Sequence, residues 1–177
     1  MEFIIIATVS LFLVIILKYV FEYNVKELKK IGKDKELDEL AKIYPNNIEI
    51  CKDYLKKLNN SKVKIEENKD STTSLYITMT DKILIANIQD TYTRIQTIAH
   101  ECLHSIQNRK LLMFNFIFSN IYLIYFIMIV ILALLKILPY KLMFMNIFLI
   151  LSLVYYMVRS YLENDAMIKA RYLAKEY

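Results

Sequence analysis

The sequence predicts a mainly α-helical membrane protein, in which three transmembrane helices accompany a small α+β unit. Hydrophobic residues make up 56% of the 177 residues, and the chain has one glycine and two prolines, a composition typical of long helices. The apolar residues are concentrated in three uncharged runs, at 3–17, 111–135 and 142–158. Because about 20 helical residues cross a bilayer core of about 30 Å, each run predicts a span, the two shorter ones with help from interfacial Tyr, Lys and Arg.

The first run, extended to residue 21, is interpreted as an N-terminal membrane anchor over 1–21. It starts with Met1-Glu2 instead of a basic segment, and no small-residue cleavage site precedes the charged residues after it, so it differs from a signal peptide. The second and third runs predict a transmembrane hairpin over 111–158 that turns near Pro139. A C-terminal helix over 159–177 follows this hairpin.

Lysine and arginine are distributed unevenly around these runs. Only Lys136 and Lys141 lie between the second and third. The other membrane ends are flanked by Lys18, Lys26, Lys29, Lys30, Arg109, Lys110, Arg159, Lys169 and Arg171. Because basic residues favour the cytoplasmic side, we expect a multi-pass cell-membrane protein with residues 18–110 and the C-terminus in the cytoplasm. The net charge of +5 fits contact with an anionic lipid leaflet, and no basic stripe with interleaved aromatic residues indicates nucleic-acid binding.

The polar segment over 22–110 is interpreted as a compact α+β unit. Helical periodicity covers 25–44 and 48–58. Stretches rich in β-formers and bounded by turn clusters follow at 63–67, 75–80 and 83–87, and a further helix is predicted over 91–108. A unit of this size buries only a small hydrophobic core by itself, so we expect it to pack against the membrane helices or to associate with the lipid surface.

Both histidines of the chain belong to one motif, His100-Glu101-Cys102-Leu103-His104. Residues four apart share a helix face, so the two imidazoles can converge on one metal ion, and the spacing indicates zinc. Glu101, turned about 100° from His100, is placed to hold a metal-bound water. The alternative is a pair of solvent-exposed histidines on an amphipathic helix. Cys102 belongs to the apolar face, so it is interpreted as a buried thiol in a reducing compartment, neither ligand nor nucleophile.

A catalytic zinc needs a third protein ligand, and the chain has no third histidine. Glu163 is the best candidate because it is expected at nearly the same height above the membrane as His104. His104 lies about 10 Å along a continuous helix from the second run, and Glu163 lies about 7 to 8 Å beyond the third. Ala166 and Ala170 share the helix face of Glu163 and would permit close approach to the histidine helix. Alternatively, this carboxylate is an ordinary juxtamembrane one. The weaker ligand candidates are Asp165 and Asp90.

Two stretches resemble parts of known membrane metallopeptidases. Residues 97–107, Thr-Ile-Ala-His-Glu-Cys-Leu-His-Ser-Ile-Gln, resemble their zinc helix, and the order of elements along the chain is similar to that of the YugP-type neutral zinc metallopeptidases. Residues 163–170 resemble the Glu-x-Asn-Ala-x-x-x-Ala pattern of that family, which implies that Glu163 is the third ligand. Leu103 stands where the family usually has glycine, and Met167 stands where the more distant HtpX-type peptidases have aspartate.

The resemblance implies a zincin-like unit and the activity of a zinc metalloendopeptidase. His100, His104 and Glu163 would hold the zinc, and Glu101 would take the proton of a zinc-activated water and pass it to the leaving amine. The substrate would be a membrane-proximal peptide or protein, bound in extended form to a strand edge within 75–87. Position in the sequence makes three residues candidates for stabilising the oxyanion: Tyr161, Arg171 and Tyr172.

A competing hypothesis is a non-catalytic membrane protein, either with a structural zinc or with a cytoplasmic unit that binds lipid or a partner. Glu101 argues against the structural zinc, because such a site needs no carboxylate in the water-activating position. A structural site also usually fills its fourth ligand place with cysteine. Cys102 faces the wrong way for that role.

Overall fold

The structure of the protein, a computed structural model, describes residues 34–68 and 70–176 and the isolated positions Thr8, Phe12, Ile15, Ile16 and Lys30. The helices are α1 (Lys35–Ala41), α2 (Asn47–Lys57), α3 (Arg94–His104), α4 (Arg109–Leu134) and α5 (Lys141–Lys175), and the strands are β1 (Lys64–Asn68), β2 (Leu75–Ile77) and β3 (Lys82–Ala86). The predicted anchor over 1–21 and the start of the helix predicted over 25–44 lie outside the described residues, apart from those isolated positions.

Helices α4 and α5 are long and apolar enough to cross a membrane. Their most apolar stretches have mean hydropathies of 2.5 and 1.8 and are not buried within the described chain. Large side chains on them such as Ile124 and Leu142 are 67% and 74% exposed. A water-soluble protein rarely exposes such a continuous apolar surface. By length and composition, the described part of the chain therefore has two candidate spans, which correspond to the second and third of the three predicted.

Asn108 separates the histidine helix from the first of these candidate spans. Its side chain accepts hydrogen bonds from the backbone N–H groups of Lys110 and Leu111, at 3.0 and 3.3 Å, so α4 begins here as a new helix. Helix α3 has already ended at His104. The predicted continuous helix from His104 into the second span is therefore wrong. In contrast, α5 runs unbroken to Lys175, so the predicted third span and C-terminal helix are one element.

A three-stranded sheet with the order β1-β3-β2 lies between the helices. Strand β3 pairs in parallel with β1 and antiparallel with β2. Its Ile83 and Ile85 side chains are fully buried, as expected for the central strand. The three strands confirm the predicted β-rich stretches, although β2 ends at Ile77 because the chain turns there and Asp81 takes a positive φ of 49°. Strand β2 is an edge strand of this sheet.

The hydrophobic core of the α+β unit includes the C-terminal part of α5. Ala166 and Ala170 are fully buried and belong to the same cluster as Ile98 and Cys102 of α3 and Ile50 of α2. Small side chains at these two positions let α5 approach α3 closely. The sequence predicted this contact. The contact confirms that the α+β unit packs against a candidate membrane helix.

A buried arginine fixes the connection between α1 and α2. Arg94, at the start of α3, is fully buried. Its guanidinium donates hydrogen bonds to the backbone oxygens of Ala41 and Pro45, both at 2.7 Å, and of Tyr44 at 2.9 Å. It also donates to Oδ1 of Asn47 at 3.0 Å. These bonds satisfy carbonyl groups where α1 ends, and they tie both short helices to α3.

Candidate metal centre

Helix α3 places His100 and His104 one turn apart on the same face. Their Nε2 atoms are 3.0 Å apart, and the two rings meet edge to face at a centroid distance of 4.5 Å. Helix α5 brings Glu163 to the same point, with Oε2 at 3.2 Å from Nε2 of His100 and 3.7 Å from Nε2 of His104. The three residues form a cluster that could hold a metal ion. The sequence predicted these three residues as the ligand set.

The separations of these atoms suit zinc. Ligand atoms bound tetrahedrally at about 2.0 to 2.2 Å from a zinc ion lie about 3.3 Å from one another. The observed separations of 3.0, 3.2 and 3.7 Å lie around that value. Two imidazoles and one carboxylate also match the donor types of catalytic zinc sites, which keep a fourth position open. The residues present therefore fit the predicted metal.

The histidines are sheltered from solvent. The side chains of His100 and His104 are 20% and 12% exposed, and that of Glu163 is 41% exposed. The alternative of two solvent-exposed histidines is therefore wrong. Burial, followed by the proximity of His104, lowers the pKa of His100. At neutral pH this keeps the imidazole in the uncharged form that binds metals.

Gln107 orients His104 by a hydrogen bond to Nδ1, the ring nitrogen on the side away from the cluster. Its Oε1 lies 2.8 Å from Nδ1 of His104, and its amide nitrogen donates to the backbone oxygen of Leu162 at 2.8 Å and to Oδ2 of Asp165 at 3.0 Å. Because the side-chain oxygen of Gln107 accepts, His104 carries its proton on Nδ1 and presents the lone pair of Nε2 to the cluster. Sequence reasoning missed this role, although Gln107 is part of the motif that carries the family resemblance.

The two weaker ligand candidates are not part of the cluster. Asp165 accepts a hydrogen bond from Gln107 and pairs with Nζ of Lys169 at 2.6 Å. Asp90 does not join the cluster either, because the described residues that gather there are His100, His104 and Glu163. Cys102 is buried in the core, with its sulfur 3.5 Å from that of Cys51. This position confirms that Cys102 is a buried thiol that faces away from the histidines.

Glu101 is a buried carboxyl group on the wall of the same cavity as the cluster. The residue is 8% exposed, and the cavity that it lines is also lined by His100, His104 and Glu163. The pKa of Glu101 is raised to about 7, chiefly by burial; a hydrogen bond from the backbone of Tyr76 opposes the rise, and the negative charge of Glu163 contributes to it. A carboxyl group with a pKa near neutrality can both accept and return a proton at physiological pH.

The cavity has a volume of about 410 Å³ and lies between strand β2 and the helices α4 and α5. Its β2 side is formed by residues 73–76 and Thr78. Its opposite wall is formed by Leu112, Asn115, Phe116, Ser119, Arg159 and Leu162. The cluster therefore faces a space with an edge strand on one side and the ends of two candidate membrane helices on the other.

The three oxyanion candidates do not line this cavity. Tyr161 and Tyr172 are both 65% exposed, and Arg171 is exposed as well. Arg159 and Tyr76 line the cavity instead. A helical-wheel argument could have found Arg159, because it precedes Glu163 by four residues on the same helix face.

Comparison with family models, curated proteins and solved structures gave no match to this chain.

Proposed function

We propose that this protein is an integral membrane zinc metallopeptidase that hydrolyses peptide bonds. The observation that carries the proposal is the joint placement of His100, His104 and Glu163 around one point, with the buried carboxyl group of Glu101 on the same cavity. A bound zinc would act as a Lewis acid toward the scissile carbonyl and lower the pKa of a water. The resemblance to YugP-type metallopeptidases supports the same function.

Glu101 supplies the proton transfer in this proposal. Its carboxylate accepts a proton from the attacking water, and the resulting carboxylic acid passes that proton to the leaving amine nitrogen. The pKa of about 7 suits both steps, because the two protonation states are similarly populated near neutral pH. The two histidines cannot replace Glu101, since their Nε2 atoms are directed at the metal position.

Strand β2 is the part of the cavity wall that suits an extended peptide. Among the residues that the structure describes, it pairs with β3 along one side only, and residues 73–76 border the cavity. An extended substrate can add to the free edge of such a strand through backbone hydrogen bonds. In this proposal the bound peptide lies between β2 and the metal ligands of α3, as the family resemblance also implies.

The substrate is membrane-proximal in this proposal because candidate membrane helices form the second wall of the cavity. Leu112, Phe116 and Ser119 belong to α4, whose apolar stretch requires a nonpolar environment. The excess of lysine and arginine at this end of both helices favours the cytoplasmic side of the cell membrane.

The alternative, a non-catalytic protein with a structural zinc, accounts poorly for the cavity. A structural zinc site is usually closed by a fourth protein ligand, often cysteine. Here, a cavity borders all three candidate ligands, and both cysteines are buried in the core. A unit that only binds lipid or a partner would not require Glu101 to be buried beside the cluster.

The test compares the wild-type protein with Glu101→Gln in the same detergent. We expect equal zinc content in both, and a loss of cleavage of a peptide library by about 10²- to 10⁴-fold in the variant, because glutamine cannot accept the proton. The matched control is Glu67→Gln, an exposed carboxylate on β1 that lies away from the cavity. Equal cleavage by wild type and Glu101→Gln would reject the mechanism, and absence of cleavage by the wild type would reject the activity.

A further inference from the structure

Three polar side chains line the cavity opposite strand β2, although they belong to two largely apolar helices. Asn115 and Ser119 of α4 and Arg159 of α5 line it. The Ser119 hydroxyl donates to the backbone oxygen of Phe116 at 2.8 Å. Oδ1 of Asn115 is buried and accepts no hydrogen bond from any described residue. A buried acceptor without a donor is costly, so this atom is suited to an N–H group that arrives with a ligand.

Arg159 is a cation without a carboxylate partner in this part of the cavity. Among the described residues, no ion pair includes Arg159. Its guanidinium donates a hydrogen bond to the hydroxyl of Tyr155 and lies 5.8 Å from the centre of the Tyr155 ring. Tyr155 precedes Arg159 by one turn, whereas Glu163 follows it by one turn. The guanidinium is therefore drawn away from the metal ligand toward the apolar part of α5.

The position of this guanidinium is supported by both helices. The Tyr155 ring stacks on Tyr122 of α4 at a centroid distance of 5.4 Å, and the Tyr122 ring stacks on Phe148 at 5.2 Å. The partner of Arg159 is thus packed in the seam between α4 and α5. An arginine that served only to contact lipid head groups would extend outward from the helix pair. Arg159 instead lines the cavity that contains the ligand cluster.

We propose that Arg159 binds a carboxylate of a substrate residue near the bond that is cleaved, while Asn115 holds the backbone of that residue. One helical turn separates Arg159 from Glu163, or about 6 Å along the axis, and an extended peptide advances about 3.3 Å per residue. Because the guanidinium turns toward Tyr155, up to one further turn from Glu163, the recognised carboxylate lies about two to four residues from the scissile bond. Arginine is suited to this task because its planar guanidinium binds carboxylates through paired hydrogen bonds. The Asn115 oxygen accepts the backbone N–H of the same substrate residue.

This specificity rests on the proposed peptidase function, and two carboxylates could supply it: an Asp or Glu side chain, or the free C-terminus of the substrate. The test uses short fluorescent peptides that differ only in Glu against Gln, each made with a free and with an amidated C-terminus. Binding is measured to zinc-loaded Glu101→Gln protein in detergent, which should hold peptides without cleaving them. Cleavage is measured with the wild type.

We expect at least about tenfold tighter binding, and correspondingly higher kcat/KM, for the peptides that carry the recognised carboxylate. Arg159→Gln should abolish this preference and leave zinc content unchanged, and Arg159→Lys should retain part of it. Arg171→Gln, an exposed arginine of the same helix outside the cavity, is the matched control and should keep the preference in full. The Glu and Gln pair, compared with the free and amidated pair, shows which carboxylate is recognised.

The results separate the subsite from the peptidase. Cleavage that ignores peptide charge, or a charge preference that survives Arg159→Gln, overturns the subsite and leaves the peptidase standing. Charge-dependent binding that requires Arg159, without cleavage of any peptide by the wild type, supports the subsite and overturns the peptidase. The subsite is also overturned if Arg159→Gln weakens binding of the protein to anionic lipid vesicles but does not change its binding of these peptides.

Discussion

Gln107 and His104 are joined by a hydrogen bond of 2.8 Å between Oε1 and Nδ1. The same glutamine donates to the backbone of Leu162, the neighbour of Glu163. One side chain therefore sets both the orientation of a histidine on α3 and the position of the α5 segment that carries the carboxylate. Because the cluster draws its atoms from two helices that are distant in sequence, such a link keeps the ligand atoms at metal-binding separations.

We expect Gln107→Ala to weaken zinc binding by about 10- to 100-fold, the usual effect of removing the hydrogen-bond partner of a metal-binding histidine. The measurement is the apparent Kd for zinc, obtained by competition with a chelator. Gln96→Ala is the matched control, because Gln96 is exposed on the same helix. An unchanged Kd in Gln107→Ala would show that helix packing alone orients His104.

Glu163→Ala should lower zinc affinity far more than Asp165→Ala. Glu163 offers an oxygen 3.2 Å from Nε2 of His100, whereas Asp165 touches the cluster only through Gln107. His100→Ala should nearly abolish binding, because two remaining ligands hold zinc poorly. The measurement is zinc stoichiometry at low free metal. Full zinc content in Glu163→Ala, with loss in Asp165→Ala, would reverse the assignment.

The meeting of the histidine helix and Glu163 could be predicted because it depends on simple rules. Spacing by four residues fixes a shared helix face, and two candidate spans in succession bring the chain back to a similar height whatever the details of packing. The prediction held even though Asn108 interrupts the helix that was assumed to be continuous. The turn at Asn108 does not upset the prediction, because it shifts the histidines by only a few ångströms relative to the second candidate span.

Contacts that depend on rotation about the helix axes could not be predicted. Helical rise fixes how far Arg159 lies from Glu163, but only packing decides that its guanidinium turns toward Tyr155. The bond between Gln107 and Asp165 joins residues 58 positions apart and requires one mutual rotation of α3 and α5. The buried role of Arg94 was also invisible, because its partners are backbone carbonyls, which every residue possesses.

The predicted orientation in the membrane can be tested with single cysteines. Lys62→Cys, in the exposed turn before β1, should react with a membrane-impermeant thiol reagent only after cells are permeabilised. Tyr140→Cys, between α4 and α5 at a residue 80% exposed, should react in intact cells and serves as the matched control. The natural cysteines need no replacement, since both are buried. Reaction of Lys62→Cys in intact cells would place the α+β unit outside.

Arg94→Ala should destabilise the α+β unit by about 3 kcal/mol or more, because the backbone oxygens of Ala41, Tyr44 and Pro45 would lose a charged donor in a buried place. We expect a lower Tm in detergent and faster proteolysis between α1 and α2. Arg171→Ala, on the exposed surface of α5, should leave both unchanged. A Tm within experimental error of the wild type would show that water satisfies those carbonyls.

The stability of the metal-free protein should depend on pH through Glu101. Burial raises its pKa from an ordinary value of 4.5 to about 7, so the folded protein favours the protonated form. The stabilisation from this group is therefore complete below pH 4.5, declines between pH 4.5 and 7, and is lost above pH 7. The shift corresponds to about 3 kcal/mol in the free energy of unfolding.

His100 acts in the opposite direction, because its lowered pKa makes the folded protein gain stability as pH rises toward 6.5. Comparison of wild type with Glu101→Gln isolates the carboxyl group, since the glutamine does not titrate. The Tm of each metal-free protein is measured from pH 5 to pH 8. We expect the wild type to lose stability relative to Glu101→Gln over this range. A constant difference between the two proteins would mean that Glu101 has an ordinary pKa and that the base proposed for the reaction is not tuned by burial.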